Sequence, residues 1–268
     1  MFATVAWPRQ FGAQIELAPP RHRGCWIKLS SARFYAYIAK MIDGFGRNID
    51  YLRISVTDRC NFRCTYCMPE QQSFLPHRDL LTYDEILVLV ERFIAHGIRK
   101  IRLTGGEPLV RRDIHILIEA LGQHVRNGAL DELTMTTNGS RLEQFAPLLA
   151  SAGMKRINVS LDTLDADACR RISRGGDLDT VLAGIHAARA HGMDVKINMV
   201  ALKQQNEDAL LPMAHFCAEH GLDLTLIETM PLGAGVTERE ETYISLDDFT
   251  APLRAQYALH PLAHKSAG

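Results

Sequence analysis

The sequence contains no apolar run approaching the roughly 20 residues that a membrane-spanning helix needs, which excludes an integral membrane protein. Its 268 residues include only six cysteines, too few for a secreted scaffold held together by disulfides. Neither sign of charge is in excess, because 30 Lys and Arg residues stand against 31 Asp and Glu residues. This balance argues against wholesale binding of nucleic acid or membranes. What is left is an ordinary globular chain of one or two domains.

Residues 1–40 stand apart from the remainder in charge, with six basic residues and one acidic residue, Glu16. A basic, acid-poor N-terminus is typical of an organellar transit peptide. Proline and glycine interrupt any long helix here, however, and favour a disordered extension or a misassigned start. Met41 is the alternative first residue, because regular patterning begins directly after it.

From residue 51 onward, β-rich runs alternate with helical patterns of about 10 to 16 residues, as βαβ units require. Because the alternation never reverses, it predicts a parallel sheet, either open and doubly wound or a partial (βα)6 barrel of TIM type with outer helices. The strand runs are Tyr51–Val56, Lys100–Thr104, Leu133–Thr137, Arg156–Leu161, Val195–Val200 and Leu222–Glu228. The helical patterns are Thr82–His96, Arg112–Arg126, Leu142–Ala152, Asp179–His191 and Glu207–His220, with shorter ones at Ala166–Ile172 and Leu246–Ala258.

Five of these strands alternate polar with apolar residues. Arg53, Arg102 and Lys196 occupy polar positions on the first, second and fifth strands. Side chains of a strand point alternately to opposite faces, so the sheet presents one polar and one apolar face. The packed interior of an ordinary barrel would not tolerate unpaired cations. The pattern therefore predicts a wet, concave chamber that holds an anionic ligand.

Three cysteines, Cys60, Cys64 and Cys67, follow the first strand within eight positions. A loop at this point opens onto the carboxyl-terminal edge of a parallel sheet, where α/β proteins place their active sites. Three thiolates are one ligand short of a closed four-cysteine zinc or iron–sulfur site, so they leave a coordination position open. The alternative is a structural zinc site that a distant His or Cys completes.

The Cys-x-x-x-Cys-x-x-Cys spacing, with Tyr66 before the third cysteine, resembles the cluster motif of the radical S-adenosylmethionine (radical SAM) enzymes. Gly105-Gly106-Glu107-Pro108, after the second strand, resembles a further motif of that superfamily. The resemblance implies a partial (βα)6 barrel and a [4Fe–4S] cluster whose open iron binds S-adenosylmethionine. It also implies that the Glu107 carboxylate receives the methionine ammonium group.

Longer stretches resemble the GTP 3′,8-cyclase family within this superfamily. That resemblance implies conversion of GTP to (8S)-3′,8-cyclo-7,8-dihydroguanosine 5′-triphosphate in molybdenum cofactor biosynthesis, initiated by a 5′-deoxyadenosyl radical. It implies a cytoplasmic enzyme that works with a reductant protein, forms a homodimer and precedes cyclic pyranopterin monophosphate synthase. The stretches are Phe45–Cys60, Lys100–Asp113, Thr136–Gly139, Arg156–Asp162, Val195–Met199 and Ile227–Gly233.

The same resemblance implies roles for individual residues. The cluster ligands would be the three cysteines of the motif. Contacts to S-adenosylmethionine would come from Tyr66, through its backbone, and from Gly106, Ser160 and Met230. Contacts to GTP would come from Arg53, Arg102, Thr136 and Lys196, where cations neutralise the triphosphate.

The sequence departs from the family pattern toward its end. Members of the family bind a second [4Fe–4S] cluster with a Cys-x-x-Cys and a later cysteine, whereas no cysteine follows Cys217 here. The expected organisation is an extension at 1–40, a barrel domain at 41–245 and the remnant of a truncated C-terminal region at 246–268. Two alternatives to an active cyclase stay open. One is a non-catalytic chain that binds GTP or S-adenosylmethionine, and the other is a radical SAM enzyme with another substrate, such as a peptide.

Overall fold

The computed structural model describes residues 41–229 and 241–260. The described chain contains a six-stranded, all-parallel sheet in the order β1-β2-β3-β4-β5-β6. The strands are β1 Tyr51–Ser55, β2 Lys100–Thr104, β3 Glu132–Thr137, β4 Arg156–Ser160, β5 Asp194–Ala201 and β6 Asp223–Glu228. The helices are α1 Tyr83–Ala95, α2 Ile114–Arg126, α3 Leu142–Ser151, α4 Ala166–Ser173, α5 Leu178–Ala190, α6 Leu210–His220 and α7 Leu246–Gln256.

The strand order confirms the partial (βα)6 barrel. A doubly wound sheet reverses its strand order at a switch point, whereas every strand here pairs with its neighbours in sequence. Strands β1 and β6 are the two edges of the sheet, so the described sheet is an arc rather than a closed ring.

The helix termini follow local sequence signals. Thr82 caps α1 and forms a reciprocal capping box with Glu85. Helix α2 begins two residues later than predicted, after Asp113 in a left-handed conformation at φ 57°. The predicted helix at Glu207–His220 is divided into a 3-10 turn, Glu207–Ala209, and α6. Pro212 explains the division, because proline is tolerated in the first turn of a helix but has no N–H for an earlier carbonyl.

The helices cover the apolar face of the sheet, and this layer forms the hydrophobic core. Ile101 and Leu103 of β2 are fully buried, as are Leu117 and Leu121 of α2. The alternation predicted from the sequence is therefore confirmed for the core-facing positions. The opposite positions, which include Arg102 and its register partner Arg53, line the concave face.

Helix α7 packs against α6 and β6, with Phe249 at 2% exposure in the common core. The backbone N–H of Leu246 donates a 2.7 Å hydrogen bond to Glu228 Oε1 at the end of β6. The predicted domain boundary at residue 245 stays a prediction, and the predictions for residues 1–40 and 261–268 lie outside the described residues. No helix among the described residues combines the length and apolar character that crossing a membrane requires.

Candidate functional site

The cysteine loop, residues 57–68, joins β1 to the segment before α1 at the carboxyl-terminal edge of the sheet. Cys60 and Cys64 are partly buried, and Cys67 is exposed. Backbone N–H groups of Arg63 and Thr65 donate 2.9 Å hydrogen bonds to carbonyl oxygens at the end of α4. The backbone of the loop is therefore held in place between its cysteines.

The two glycines after β2 pack against the beginning of this loop. A Cβ atom added to Gly106 would stand 2.3 Å from the carbonyl oxygen of Arg59, and one on Gly105 would stand 2.5 Å from that of Thr57. The Gly106 N–H donates a 2.7 Å hydrogen bond to the Thr57 carbonyl oxygen. The sequence suggested that these glycines admit a ligand, and the structure adds that they admit the backbone that carries Cys60.

Glu107 is fully buried and joins the ends of two strands. Its Oε1 accepts hydrogen bonds from the Leu109 N–H at 3.0 Å and the Thr137 hydroxyl at 2.8 Å, and its Oε2 accepts one from the Asn138 N–H at 2.6 Å. Burial raises the pKa of Glu107, and these donors partly offset that rise. The sequence assigned this carboxylate to an ammonium group. The structure shows in addition that this buried carboxylate links β2 to β3 through three accepted hydrogen bonds, and the assignment to the ammonium group stays a prediction.

Replacing Glu107 with glutamine keeps the size of the side chain but introduces an NH2 group facing donors. At least one buried donor then loses its acceptor, and we expect the free energy of unfolding to fall by about 1–3 kcal/mol. Urea unfolding of the cofactor-free chain measures the change. Glu119→Gln, at an exposed position of α2, is the matched control, and equal stability of the two variants would contradict the assigned role.

Asn138 supplies a contact to the cysteine loop that the sequence did not single out. Its Nδ2 lies 3.8 Å from Cys60 Sγ and donates a 2.9 Å hydrogen bond to Asn61 Oδ1. The Phe62 N–H also donates to Cys60 Sγ, at 3.4 Å. Donors of this kind favour a thiolate, and hydrogen bonds to sulfur tune iron–sulfur centres. The one available signal was that Asn138 belongs to the Thr136–Gly139 stretch.

The surroundings of Cys60 and Cys64 disfavour their thiolate forms unless a cation is bound nearby. Burial raises the pKa of Cys60 and Cys64, and the nearby acids Glu107 and Asp162, with the neighbouring cysteines, raise them further. Thiolates held in such surroundings require a compensating positive charge, which a bound metal centre supplies. The donor set therefore fits a thiolate-bound cluster.

In the two described stretches of chain, no group of three or more His, Cys, Asp and Glu side chains is spaced for a metal ion. A [4Fe–4S] cluster sets a different requirement, because each cysteine thiolate binds a separate iron atom rather than a shared ion.

A cationic cavity occupies the amino-terminal half of the concave face. Arg53 and Arg102, adjacent in the β1–β2 register, lie in it together. Arg102 is 7% exposed, its guanidinium lies 5.4 Å from the centre of the Tyr51 ring, and burial lowers its pKa. The cavity has a volume of about 290 Å³ and is lined by Asp50, Tyr51, Arg53, Lys100, Arg102, Glu132 and Arg156.

One layer further along the strands, Thr136, Asn158 and Lys196 are register partners on β3, β4 and β5. Lys196 is 9% exposed, and within residues 41–229 and 241–260 it forms no hydrogen bond or ion pair. The Oδ1 of Asn158 is also buried without a partner in that part of the chain. Buried polar groups without partners are costly, so this layer is suited to a polar, anionic ligand.

The structure thus brings the predicted site residues into two groups at different positions along the strands. The four residues assigned to GTP lie on the concave face, whereas Ser160 and Tyr66 line a small cavity of about 30 Å³ that also includes Cys64 and Asp162. Met230 lies outside the described residues. Lys100 and Arg156 line the cationic cavity but were not assigned to it, although both stand at polar positions of their strands.

The sequence profile described as "Radical SAM superfamily" matches residues 54–217. The chain belongs to this superfamily. This radical SAM chain is 56% identical over 228 residues to a GTP 3′,8-cyclase of Rhodopseudomonas palustris (strain TIE-1), a match that covers 85% of the chain and 66% of that relative. A GTP 3′,8-cyclase of Mesorhizobium japonicum is 53% identical over 228 residues, with 85% and 69% covered. The chain thus spans about two thirds of the length of these curated relatives.

Solved structures share the fold of this radical SAM chain at much lower identity. Streptococcus suis SuiB bound to the precursor peptide SuiA superimposes with a TM-score of 0.65 at 18% identity, covering 77% of this chain and 46% of that one. SuiB bound to S-adenosylmethionine gives a TM-score of 0.60 at 19% identity, with 77% and 47% covered. The sequence-based predictions of the superfamily and of the partial barrel are confirmed.

Proposed function

We propose that the chain is a GTP 3′,8-cyclase, which converts GTP to (8S)-3′,8-cyclo-7,8-dihydroguanosine 5′-triphosphate. The observation that carries the proposal is Lys196, a buried cation without a partner in the described residues, on a polar face that the cysteine loop closes at one end. A strongly anionic ligand of elongated shape suits this arrangement. The identity of 52–56% to curated GTP 3′,8-cyclases supports the same substrate.

Cys60, Cys64 and Cys67 would hold a [4Fe–4S] cluster, and Tyr66, Gly106, Ser160 and Met230 would contact S-adenosylmethionine. When bound, these two groups supply a 5′-deoxyadenosyl radical. The protein's own task is to hold the ribose of GTP against that radical and to exclude water and other quenchers. The loop contacts of Gly106 and Asn138 serve this task by fixing Cys60.

The substrate would lie lengthwise along the strands. Arg53 and Arg102 bind the triphosphate in the cationic cavity, where the other two cations, Lys100 and Arg156, are paired with Asp50 and Glu132. Ser160 lies four residues further along β4 than this layer, and at a rise of about 3.3 Å per residue the span is about 13 Å. Thr136 and Lys196 lie between the two levels, so the triphosphate at one end directs the nucleoside toward the cysteine loop.

Anaerobic reconstitution of the cluster, followed by assays for 5′-deoxyadenosine with and without GTP, tests the proposal. We expect GTP-dependent 5′-deoxyadenosine and a stoichiometric amount of the cyclised nucleotide. GTP binding without any cleavage would instead identify a non-catalytic nucleotide binder. Cleavage that ignores GTP would point to a radical SAM enzyme with another substrate, and either result would overturn the proposal.

A reductant protein, a homodimer, a cytoplasmic location and cyclic pyranopterin monophosphate synthase as the next enzyme belong to the same proposal.

Replacing Lys196 with methionine removes the buried charge while keeping most of the side-chain length. We expect GTP affinity to fall about tenfold to a hundredfold, the range for one charge-assisted contact. The free energy of unfolding should not fall, because an unpaired buried charge stabilises nothing. Calorimetric titration with GTP and urea unfolding provide the two measurements. Lys155→Met, at an exposed position, is the control, and equal GTP affinity of the two variants would refute the contact.

A further inference from the structure

A side chain of the cysteine loop reaches across to the far half of the sheet. The hydroxyl of Tyr66, which stands between Cys64 and Cys67, donates a 2.8 Å hydrogen bond to Asp162 Oδ2. Asp162 follows β4, 96 residues later in the sequence, and is 9% exposed. The contact is therefore long-range and largely shielded from water.

The carboxylate of Asp162 is itself fixed by its second oxygen. Its Oδ1 accepts a 2.8 Å hydrogen bond from the Val200 N–H in β5, so both oxygens have partners. Behind it, the buried amide of Asn206 donates to the carbonyl oxygens of Asp162 and Val200, at 2.9 and 2.8 Å. Asp162 is thus a rigid acceptor built into the junction of β4 and β5.

Besides the backbone hydrogen bonds of Arg63 and Thr65 to the end of α4, two side chains hold the loop, one on each side of Cys64. Asn61 anchors the first part, where its Nδ2 donates a 2.9 Å hydrogen bond to Ser140 Oγ after β3. Tyr66 anchors the second part to Asp162. Loss of the hydroxyl would remove the side-chain contact next to Cys67 and leave the Thr65 backbone hydrogen bond as a remaining contact between Cys64 and Cys67.

We propose that Tyr66 and Asp162 are positioning residues, whose hydrogen bond fixes the segment from Cys64 to Cys67 and thereby sets how tightly the chain holds its cofactors. The inference rests on the proposed radical SAM function and adds a role for the Tyr66 side chain, where the family resemblance gives one only to its backbone. It further predicts that the geometry of the bond matters more than the negative charge of the acceptor.

Tyr66→Phe tests the inference, because it removes one hydroxyl and nothing else. After anaerobic reconstitution we expect roughly tenfold faster loss of iron to a chelator. We also expect that roughly tenfold more S-adenosylmethionine is needed to produce half of the change that its binding causes in the EPR spectrum of the reduced cluster. Tyr83→Phe is the matched control, since the Tyr83 hydroxyl donates a 2.6 Å hydrogen bond to the Arg112 carbonyl oxygen, in a segment that carries no assigned ligand. Equal chelation rates and equal S-adenosylmethionine dependence in the two variants would refute the positioning role.

Asp162→Asn separates geometry from charge. The asparagine oxygen still accepts from Val200, and its amide donates to the Tyr66 hydroxyl, so we expect a smaller change than in Tyr66→Phe. A larger change would show that the charge governs the site and would overturn the inference. A wild-type chain that binds no cluster would refute the proposed function itself. The two failures are therefore distinguishable.

Discussion

Cys64→Ala should abolish iron–sulfur binding by the reconstituted chain and lower 5′-deoxyadenosine formation below detection. Cys64 lies at the centre of the loop, and burial raises its pKa, with Asp162 and the other two cysteines adding to the rise. A thiolate in this position needs a compensating cation, so under the proposed function Cys64→Ala removes one of the three ligands of the cluster. Iron and sulfide content, visible absorption and product formation measure the effect.

Cys217→Ala is the matched control for this prediction. Cys217 is 3% exposed within α6, and burial raises its pKa to about 11, so it is a protonated packing residue. We expect this variant to bind iron and to turn over like the unmodified chain, with only a modest loss of stability. An iron-replete, active Cys64→Ala variant would overturn the ligand assignment.

Gly106→Ala should destabilise the fold by about 3 kcal/mol, the upper part of the range for overpacking a buried position. The added methyl group would stand 2.3 Å from the Arg59 carbonyl oxygen and 2.7 Å from that of Asp58. Both obstacles are backbone atoms, which cannot move aside as a flexible side chain does. Relief therefore requires the cysteine loop to separate from the end of β2. Urea unfolding of the cofactor-free chain measures the loss.

Gly44→Ala provides the comparison, because a Cβ at Gly44 meets no atom within 4 Å and the residue does not adopt a positive φ. We expect its stability to match that of the unmodified chain or to exceed it slightly, since alanine restricts the unfolded state. Similar losses of stability at Gly106 and Gly44 would contradict the close approach described for the loop.

The sequence was sufficient to predict the architecture because the alternation of strands and helices and the polar–apolar pattern within the strands indicated the same fold. Uninterrupted βα alternation predicted one parallel sheet, and strand parity predicted its polar and apolar faces. The concave placement of Arg53, Arg102, Thr136 and Lys196 followed from the same parity. Position at the end of a strand likewise predicted where the cysteine loop lies.

Hydrogen bonds between residues that are far apart in the sequence could not be predicted from local sequence patterns. The acceptor role of Glu107 depends on donors from β3 and the residue after it, and its motif gave no hint of them. The bond between Tyr66 and Asp162 joins residues 96 positions apart, and only the folded sheet brings them together. Lys100 and Arg156 were visible as polar positions, but their shared cavity depends on the curvature of the sheet.

The alternation of polar and apolar residues along the strands assigns folding to one face of the sheet and ligand binding to the other. Residues such as Ile101 and Leu103 determine whether the chain folds, and their neighbours on the other face, such as Arg102, determine what the chamber accepts. Substitutions on the concave face can therefore change the ligand while the hydrophobic core stays intact. Such a scaffold can acquire new substrates with little risk of unfolding, which accounts for the sharing of this fold at 18% identity with a protein that binds a peptide.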